Sequence, residues 1–130
     1  MRIEVNGEPA TAGQLAYPAI ANYGHFTAMQ VWSGSVRGLS LHLARLDLGT
    51  RELFGTGLDG ELVCAHIRHA IGADMPDASV RVSVFRPDDD ERPSVMVVVR
   101  SPGGPVCVST TKKTCKYRRP RACTALGREA

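Results

Sequence analysis

Aromatic residues, long apolar runs and lysines are scarce in this sequence. Aromatic residues make up 5% of the 130 residues and hydrophobic residues 43%, so a packed core must rest on aliphatic side chains. The longest apolar runs are short, as at 95–99 (VMVVV), so we expect no membrane-spanning segment. Residues 1–20 also lack the pattern of a signal peptide. These absences predict a cytoplasmic protein.

The four cysteines lack the close spacing of a zinc site. Cys107, Cys115 and Cys123 are each separated by seven residues, and Cys64 is remote from them. Zinc ligands usually come in near pairs such as C-x2-C, and disulfides are rare in proteins without a secretion signal. The sequence therefore predicts free thiols and no metal site.

Charge is distributed unevenly along the chain. Residues 1–100 hold nine Lys and Arg against twelve Asp and Glu, whereas residues 101–130 hold seven basic residues and one acidic residue. The change falls near SPGGP, so we predict a domain over 1–105 and a basic, Cys-containing tail over 106–130. The tail could be diverged, frameshifted or disordered. It could also bind nucleic acid, but Tyr117 is its one aromatic residue and it contains no recognisable binding module, so that interpretation is disfavoured.

Turn signals predict two hairpins in the first forty residues. Residues 2–5 (RIEV) predict a strand that ends at Asn6-Gly7, a pair that supplies the positive φ angles of a tight turn. Residues 26–32 (FTAMQVW) predict another strand, Ser33-Gly34 a turn, and residues 35–40 (SVRGLS) the partner strand.

Two helices are predicted after these hairpins. The first extends from about Leu41 to Phe54 and is capped by Gly55; Asp59 can N-cap the second, over residues 60–73. The predicted inward face of the first helix consists of Leu43, Leu46, Thr50, Leu53 and Phe54. The predicted inward face of the second consists of Leu62 or Val63, Ile67, Ala70 and Ile71.

A third hairpin completes the predicted domain. Residues 78–85 (ASVRVSVF) alternate with Val80, Val82 and Val84 on one face, and residues 94–100 (SVMVVVR) form the partner strand. The order ββ, ββ, α, α, ββ predicts an α+β fold, in which an antiparallel sheet has two helices packed on one face.

Two motifs fit ordinary structure better than a functional site. Residues 55–60 (GTGLDG) match the G-x-G-x-x-G pattern, but a dinucleotide loop follows a strand, and here a helix precedes it. A helix cap followed by a loop explains the segment. His66 and His69 lie three residues apart without a carboxylate at matching spacing in their helix, which favours a solvated helix face over a metal site.

One stretch, from Tyr23 to Leu46, carries a specific pattern. It combines a strand with Gly24 and Phe26, a turn at Ser33-Gly34, a second strand, and H-x-x-R-L at His42–Leu46 opening a helix. This pattern resembles the small domain of the class IV (fold-type IV) pyridoxal-phosphate-dependent aminotransferases. That family includes branched-chain and D-amino acid aminotransferases and aminodeoxychorismate lyase. The resemblance covers roughly residues 1–100.

The resemblance implies roles for four residues. The arginine of H-x-x-R-L binds the cofactor phosphate in the family, so Arg45 is the implied phosphate ligand; a guanidinium suits phosphate because it stays charged and offers several donors. An aromatic residue of the preceding strand faces the substrate in the family, and Phe26 stands at that place without a hydroxyl. His25 and Thr27 flank it as further substrate-binding candidates. The implied ligands are pyridoxal 5'-phosphate and an amino acid or keto acid, and the implied assembly is a homodimer.

The catalytic lysine that the family requires has no counterpart in register. In related sequences the lysine follows a segment of the form Y…P-x-x-K, and with Tyr117 and Pro120 its place falls on Cys123. The three lysines, at positions 112, 113 and 116, lie outside that register, and the large domain of the family would follow. The resemblance therefore implies a truncated transaminase or lyase without a catalytic residue of its own, inactive alone. The alternative is a non-catalytic dimerisation or partner-binding domain.

Overall fold

A computed structural model describes residues 1–88, 90–102 and 124–126. These residues form seven strands and three helices. The strands are β1 (Arg2–Val5), β2 (Glu8–Pro9), β3 (Gly24–Trp32), β4 (Ser35–Val36), β5 (Ala78–Phe85), β6 (Ser94–Arg100) and β7 (Thr124–Ala125). The helices are α1 (Ala12–Ile20), α2 (Leu39–Phe54) and α3 (Gly60–Ile71).

All seven strands belong to one antiparallel sheet in the order β2-β1-β6-β5-β3-β4-β7. The register places Val82 of β5 opposite Thr27 on one side and Val97 on the other. Side chains that stand opposite each other share a face of the sheet, so these three point to the same side. The α+β architecture predicted from the order of the elements is confirmed.

Helices α2 and α3 cover one face of this sheet and form the core with it. The valines of β5 that alternate in sequence are buried there, as predicted, together with Leu46, Thr50 and Phe54 of α2. In α3 the inward residue is Val63, whereas Leu62 is exposed. Gly55 ends α2 in the left-handed conformation, and the Asp59 carboxylate accepts hydrogen bonds at the start of α3. The prediction of a cap and loop over residues 55–60 is therefore confirmed.

The structure corrects two local predictions. Residues 35–40 do not form a full strand, because Gly38 adopts a positive φ of 66° and α2 already begins at Leu39, leaving Ser35–Val36 as β4. Helix α1 was not predicted, although Thr11 and Gln14 form a capping box at its start. The pattern T-x-x-Q was a usable signal for it. The predicted turns hold, with positive φ angles at Asn6, Gly7, Ser33 and Gly34.

Helix α1 lies against the other face of the sheet, where it covers only one corner. The ring of Tyr17 stacks on Phe85 with a centroid distance of 6.0 Å. The rest of that face, which we call the open face, carries Phe26, Arg81 and Val98 among residues that are partly or fully exposed. The sheet therefore has one closed face and one largely open face.

The predicted tail over 106–130 lies outside the described residues, apart from 124–126. Strand β7 pairs with β4, and Leu126 is buried in the core, where its carbonyl accepts a hydrogen bond from Arg68. The predicted free thiol is observed for Cys64, which is buried; the other three cysteines and the lysine register at Cys123 fall outside the described part. None of the three described helices has the length and hydrophobicity that a membrane span requires.

Candidate functional site

The first half of β3 lies at an edge of the sheet. Within β3, strand β4 pairs with Val31 and Trp32 alone, so within the described strands residues 24–30 have a neighbour, β5, on one side only. Along this edge the side chains alternate: Thr27 and Met29 turn towards the helices, whereas Phe26 turns to the open face. The edge runs beside α2, which makes most of its sheet contacts with β3.

Arg45 lies on the exposed flank of α2, at the border of a cleft with a volume of about 450 Å³. The two ion pairs found in the described part of the chain, Arg51–Asp47 and His69–Glu4, do not include it. The cleft is lined by Phe26, Thr27, Ala28, Leu41, His42 and Arg45. A fixed positive charge at the border of a cleft without an acidic lining residue suits an anion such as a phosphate group.

His25 and Thr50 form the first of two histidine–threonine pairs between β3 and α2. The Thr50 hydroxyl donates to the carbonyl of Leu46 (2.7 Å), so its oxygen accepts from Nε2–H of His25 (2.9 Å). A Cβ at Gly49 would lie 2.8 Å from Nδ1 of His25, which is closer than real Cβ contacts allow. The glycine therefore lets the imidazole pack against the helix backbone.

Thr27 and His42 form the second pair. The Thr27 hydroxyl lies 2.7 Å from Nδ1 of His42, and Thr27 is only 5% exposed. A buried hydroxyl needs a partner because little water reaches it, and His42 provides that partner. His42 is partly buried and borders the cleft three residues before Arg45, on the same side of α2.

Both histidines are held in their neutral form near pH 7. Burial, followed by the positive charge of Arg45, lowers the pKa of His25 and of His42. Arg45 is consequently the permanent charge of this part of the molecule, and the two imidazoles act as hydrogen-bonding groups around it.

A second cleft, of about 550 Å³, lies on the open face of the sheet. Its lining includes Phe26, His25, Arg81 and Arg100. The guanidinium carbon of Arg81 lies 3.7 Å above the centre of the Phe26 ring, a cation–π contact. Phe26 stands opposite Ser83, and Arg81 reaches it diagonally from two residues away on β5.

The candidate residues from the sequence are thus brought together around β3. Phe26 is 46% exposed and borders both clefts, Thr27 borders the cleft of Arg45, and His25 borders the open-face cleft. Arg81 was missed. The sequence did contain a signal for it: Arg81 is a charged residue between Val80 and Val82 of β5, so it points to the face of the sheet opposite the buried valines.

Of the two histidines on α3 that were considered for a metal site, His66 and His69, the second forms an ion pair. His69 is exposed on α3, and its Nδ1 lies 2.8 Å from the buried Glu4 carboxylate of β1, which raises the pKa of His69. His66 lies one turn before it and is partly buried. Within the described ranges, no group of three or more His, Cys, Asp or Glu side chains is placed to hold a metal ion.

No protein-family model matches the chain, and no curated protein sequence matches it. Solved structures do match. The 4-amino-4-deoxychorismate lyase of Pseudomonas aeruginosa aligns at 25% identity over 76% of this chain and 39% of its own, with a TM-score of 0.54.

A hypothetical aminotransferase from Mycobacterium tuberculosis aligns in two forms. Its PLP-bound form is 19% identical over 78% of this chain and 39% of its own (TM-score 0.56), and its form with α-ketoglutarate and PMP bound is 18% identical over 78% and 40% (TM-score 0.56). The chain spans about two fifths of the length of these proteins.

These likenesses agree with the resemblance carried by the H-x-x-R-L stretch. The fold, aligned over three quarters of this chain, is shared with a 4-amino-4-deoxychorismate lyase and a hypothetical aminotransferase. The described chain has the fold of the small domain of the fold-type IV pyridoxal-phosphate-dependent aminotransferases and lyases.

Proposed function

We propose that this chain is the small domain of a pyridoxal-phosphate-dependent transaminase or lyase, and that Arg45 holds the cofactor phosphate. The observation that carries the proposal is the exposed guanidinium of Arg45 in a cleft that also contains the β3 edge and Phe26. The cleft fits a phosphate: its charged lining residue is basic, and the flanking imidazoles are neutral near pH 7. When bound, pyridoxal phosphate supplies an electron sink for bond breaking at the α-carbon of an amino acid.

Different residues then bind different parts of the cofactor and the substrate. Arg45 anchors the phosphate by charge-assisted hydrogen bonds. Phe26, between the two clefts, packs against the substrate side of the site. Arg81, held over the Phe26 ring, is the cation that receives the carboxylate of an amino acid or keto acid, a contact that Phe26 cannot make because it lacks a hydroxyl.

Binding of inorganic phosphate and of pyridoxal phosphate tests the assignment of Arg45. We expect Arg45→Ala to weaken both by about 10- to 100-fold, because it removes a charge-assisted interaction of about 1.5–3 kcal/mol. Arg45→Lys keeps the positive charge but lacks the planar guanidinium, so its affinity should lie between those of wild type and Arg45→Ala. Arg92→Ala is the matched control, because Arg92 is exposed in the loop between β5 and β6 and its loss changes the net charge equally. Equal affinity of wild type and Arg45→Ala in calorimetry would overturn the proposal.

We further propose that the described chain alone does not complete the reaction. Its described residues contain no lysine, and the matched proteins are about two and a half times as long as the aligned part. Mixed with pyridoxal phosphate and reduced with borohydride, the chain should show no cofactor mass on a defined lysine in peptide mass spectrometry. A stoichiometric adduct on one lysine would contradict this.

A second candidate is a non-catalytic partner-binding domain, in a cytoplasmic homodimer. Leu41 and Leu48 are 75% and 59% exposed, and they lie seven residues apart on one side of α2. Such a stripe favours contact with another protein surface. Sedimentation velocity distinguishes the cases: a dimer that becomes a monomer in Leu41→Ser/Leu48→Ser supports this candidate, and a wild-type monomer at high concentration removes it.

A further inference from the structure

His42 and Thr27 line the cleft of Arg45 but have no part in the function proposed so far. His42 precedes Arg45 by three residues on α2, which places both side chains on the same side of the helix. Both border the same cleft of about 450 Å³. Thr27 comes from β3 and closes the space between the strand and the helix.

The hydrogen bond to Thr27 fixes one edge of the His42 ring. It uses Nδ1, at 2.7 Å from the Thr27 hydroxyl. The other ring nitrogen, Nε2, has no hydrogen-bond partner within the described residues. Rotation of the ring would break the bond to Thr27 and leave a buried hydroxyl unpaired, which is unfavourable.

This contact also bears on the tautomer of the His42 ring, that is, on which nitrogen carries the hydrogen. When the Thr27 hydroxyl donates to Nδ1, the neutral imidazole of His42 carries its hydrogen on Nε2. An anion beside Arg45 favours that tautomer over the reverse one, because only Nε2–H can donate to it. Arg45 is the charged group whose field reaches His42, and a bound anion offsets that field.

His25 provides an internal contrast. Its Nε2–H is already donated to Thr50, whose own hydrogen is committed to the carbonyl of Leu46. The equivalent donor of His25 is therefore occupied within the fold, whereas that of His42 is not. Two histidines bonded to threonines of the same interface thus differ in what they can offer a ligand.

We propose that His42 is a second phosphate-binding residue of this cleft, donating from Nε2 beside Arg45, and that Thr27 is the positioning residue that holds its ring. This inference rests on the proposed function, since it assumes a phosphate group at Arg45. It assigns a role to the histidine of H-x-x-R-L and to the threonine of β3.

Substitutions that separate the two ring nitrogens test the inference with inorganic phosphate as the probe. Asn at position 42 places its amide near the position of Nδ1, and Gln reaches the position of Nε2. We expect His42→Asn to weaken phosphate binding about three- to tenfold, the effect of one hydrogen bond, and His42→Gln to retain most of the affinity. Thr27→Val should weaken it similarly, and Thr27→Ser should restore it.

Nuclear magnetic resonance of the imidazoles supplies a readout that a purely structural role would not change. On addition of phosphate, the pKa of His42 should rise, because the bound anion favours the protonated ring, and that of His25 should change less. In Thr27→Val the rise should shrink while thermal unfolding remains cooperative. An unchanged His42 titration at saturating phosphate would overturn the inference.

The two proposals fail in distinguishable ways. If Arg45→Ala loses phosphate binding while His42→Asn binds as tightly as wild type, His42 has no such role and the assignment of Arg45 stands. If both variants bind phosphate like wild type, both proposals are wrong. Circular dichroism of each variant confirms that the fold is intact before affinities are compared.

Discussion

The two faces of the sheet are built from the same strands but differ in burial: one is covered by helices and the other is largely exposed. On the closed face, Val80, Val82, Val97 and Val99 are buried beneath α2 and α3. On the open face, the alternate residues of the same strands include Arg81 and Val98, which are less buried, and Phe26, which is 46% exposed. Alternation thus lets one strand stabilise the fold and border a cleft, provided that each face has its own neighbours.

The largest expected difference between the faces is in stability. Val97 and Val98 are adjacent in β6 and point to opposite sides. We expect Val97→Ala to lower the free energy of unfolding by about 2–3 kcal/mol, because it removes two buried methyl groups and leaves a cavity. Val98→Ala is the matched control, with an expected loss of about 1 kcal/mol or less, both measured by urea unfolding. Equal losses would mean that the open face is as closely packed as the other.

A glycine-to-alanine pair compares a helix on the closed face with the helix at the open face. Ala normally stabilises a helix interior by about 0.5–1 kcal/mol relative to Gly. At Gly49 of α2 the new Cβ would press on His25 at 2.8 Å and disturb its bond to Thr50, so we expect a net destabilisation of about 1–2 kcal/mol. At Gly13, in the first turn of α1, nothing lies within 4 Å of the added Cβ, so we expect a stabilisation of up to about 0.5 kcal/mol.

Thermal unfolding of the two variants against wild type checks the opposite signs. A stabilised Gly49→Ala would show that the His25 ring moves aside without cost.

The smallest expected effect is the pH dependence of the stability that the histidines on the closed face contribute. The pKa values of His25, His42 and His66 are lowered in the fold, chiefly by burial, so the unfolded chain binds protons first as the pH falls. The stability they contribute is complete above about pH 6.5, the unfolded value, and declines below it. His69 acts in reverse: its pKa is raised by Glu4, so its contribution is present below the unfolded value and is lost as the pH rises through the folded one.

Melting temperatures between pH 5 and 8 measure this balance. His25→Gln should reduce the loss of stability on acidification, and His69→Gln should increase it. If His25→Gln left the acid-side slope unchanged, the ring of His25 would not be held neutral by burial.

Local patterns predicted the elements well wherever one face of an element is buried. The alternating valines of β5 and the periodic residues of α2 are such cases, and both were predicted with nearly correct bounds. Helix α1 was missed because it is short, with nine residues, and contains Pro18, a residue that usually interrupts helices. Its capping box was the signal that marked it. The strand predicted over 35–40 failed because a single glycine, Gly38, starts a helix within it.

The candidate site was predictable only in part. Arg45 and Phe26 came from a resemblance, and their roles remain predictions for the binding experiments. The contacts that organise the site join residues far apart in sequence: His25 to Thr50, Thr27 to His42, and Arg81 to Phe26. Neither member of such a pair carries a local signal of its partner.

The sequence by itself determined the order of β3, α2, α3, β5 and β6, the turns at Asn6-Gly7 and Ser33-Gly34, and which residues of β5 and α2 share a side. These properties depend on backbone preferences and on periodicity, which act over a few residues. The tertiary structure alone decided that the β3 edge faces α2, that His42 keeps a free ring nitrogen beside Arg45 among the described residues, and that the nitrogen of His25 is used. The reason is physical: which side chains meet depends on how helices and strands pack and in which register, and that is settled by the whole core together.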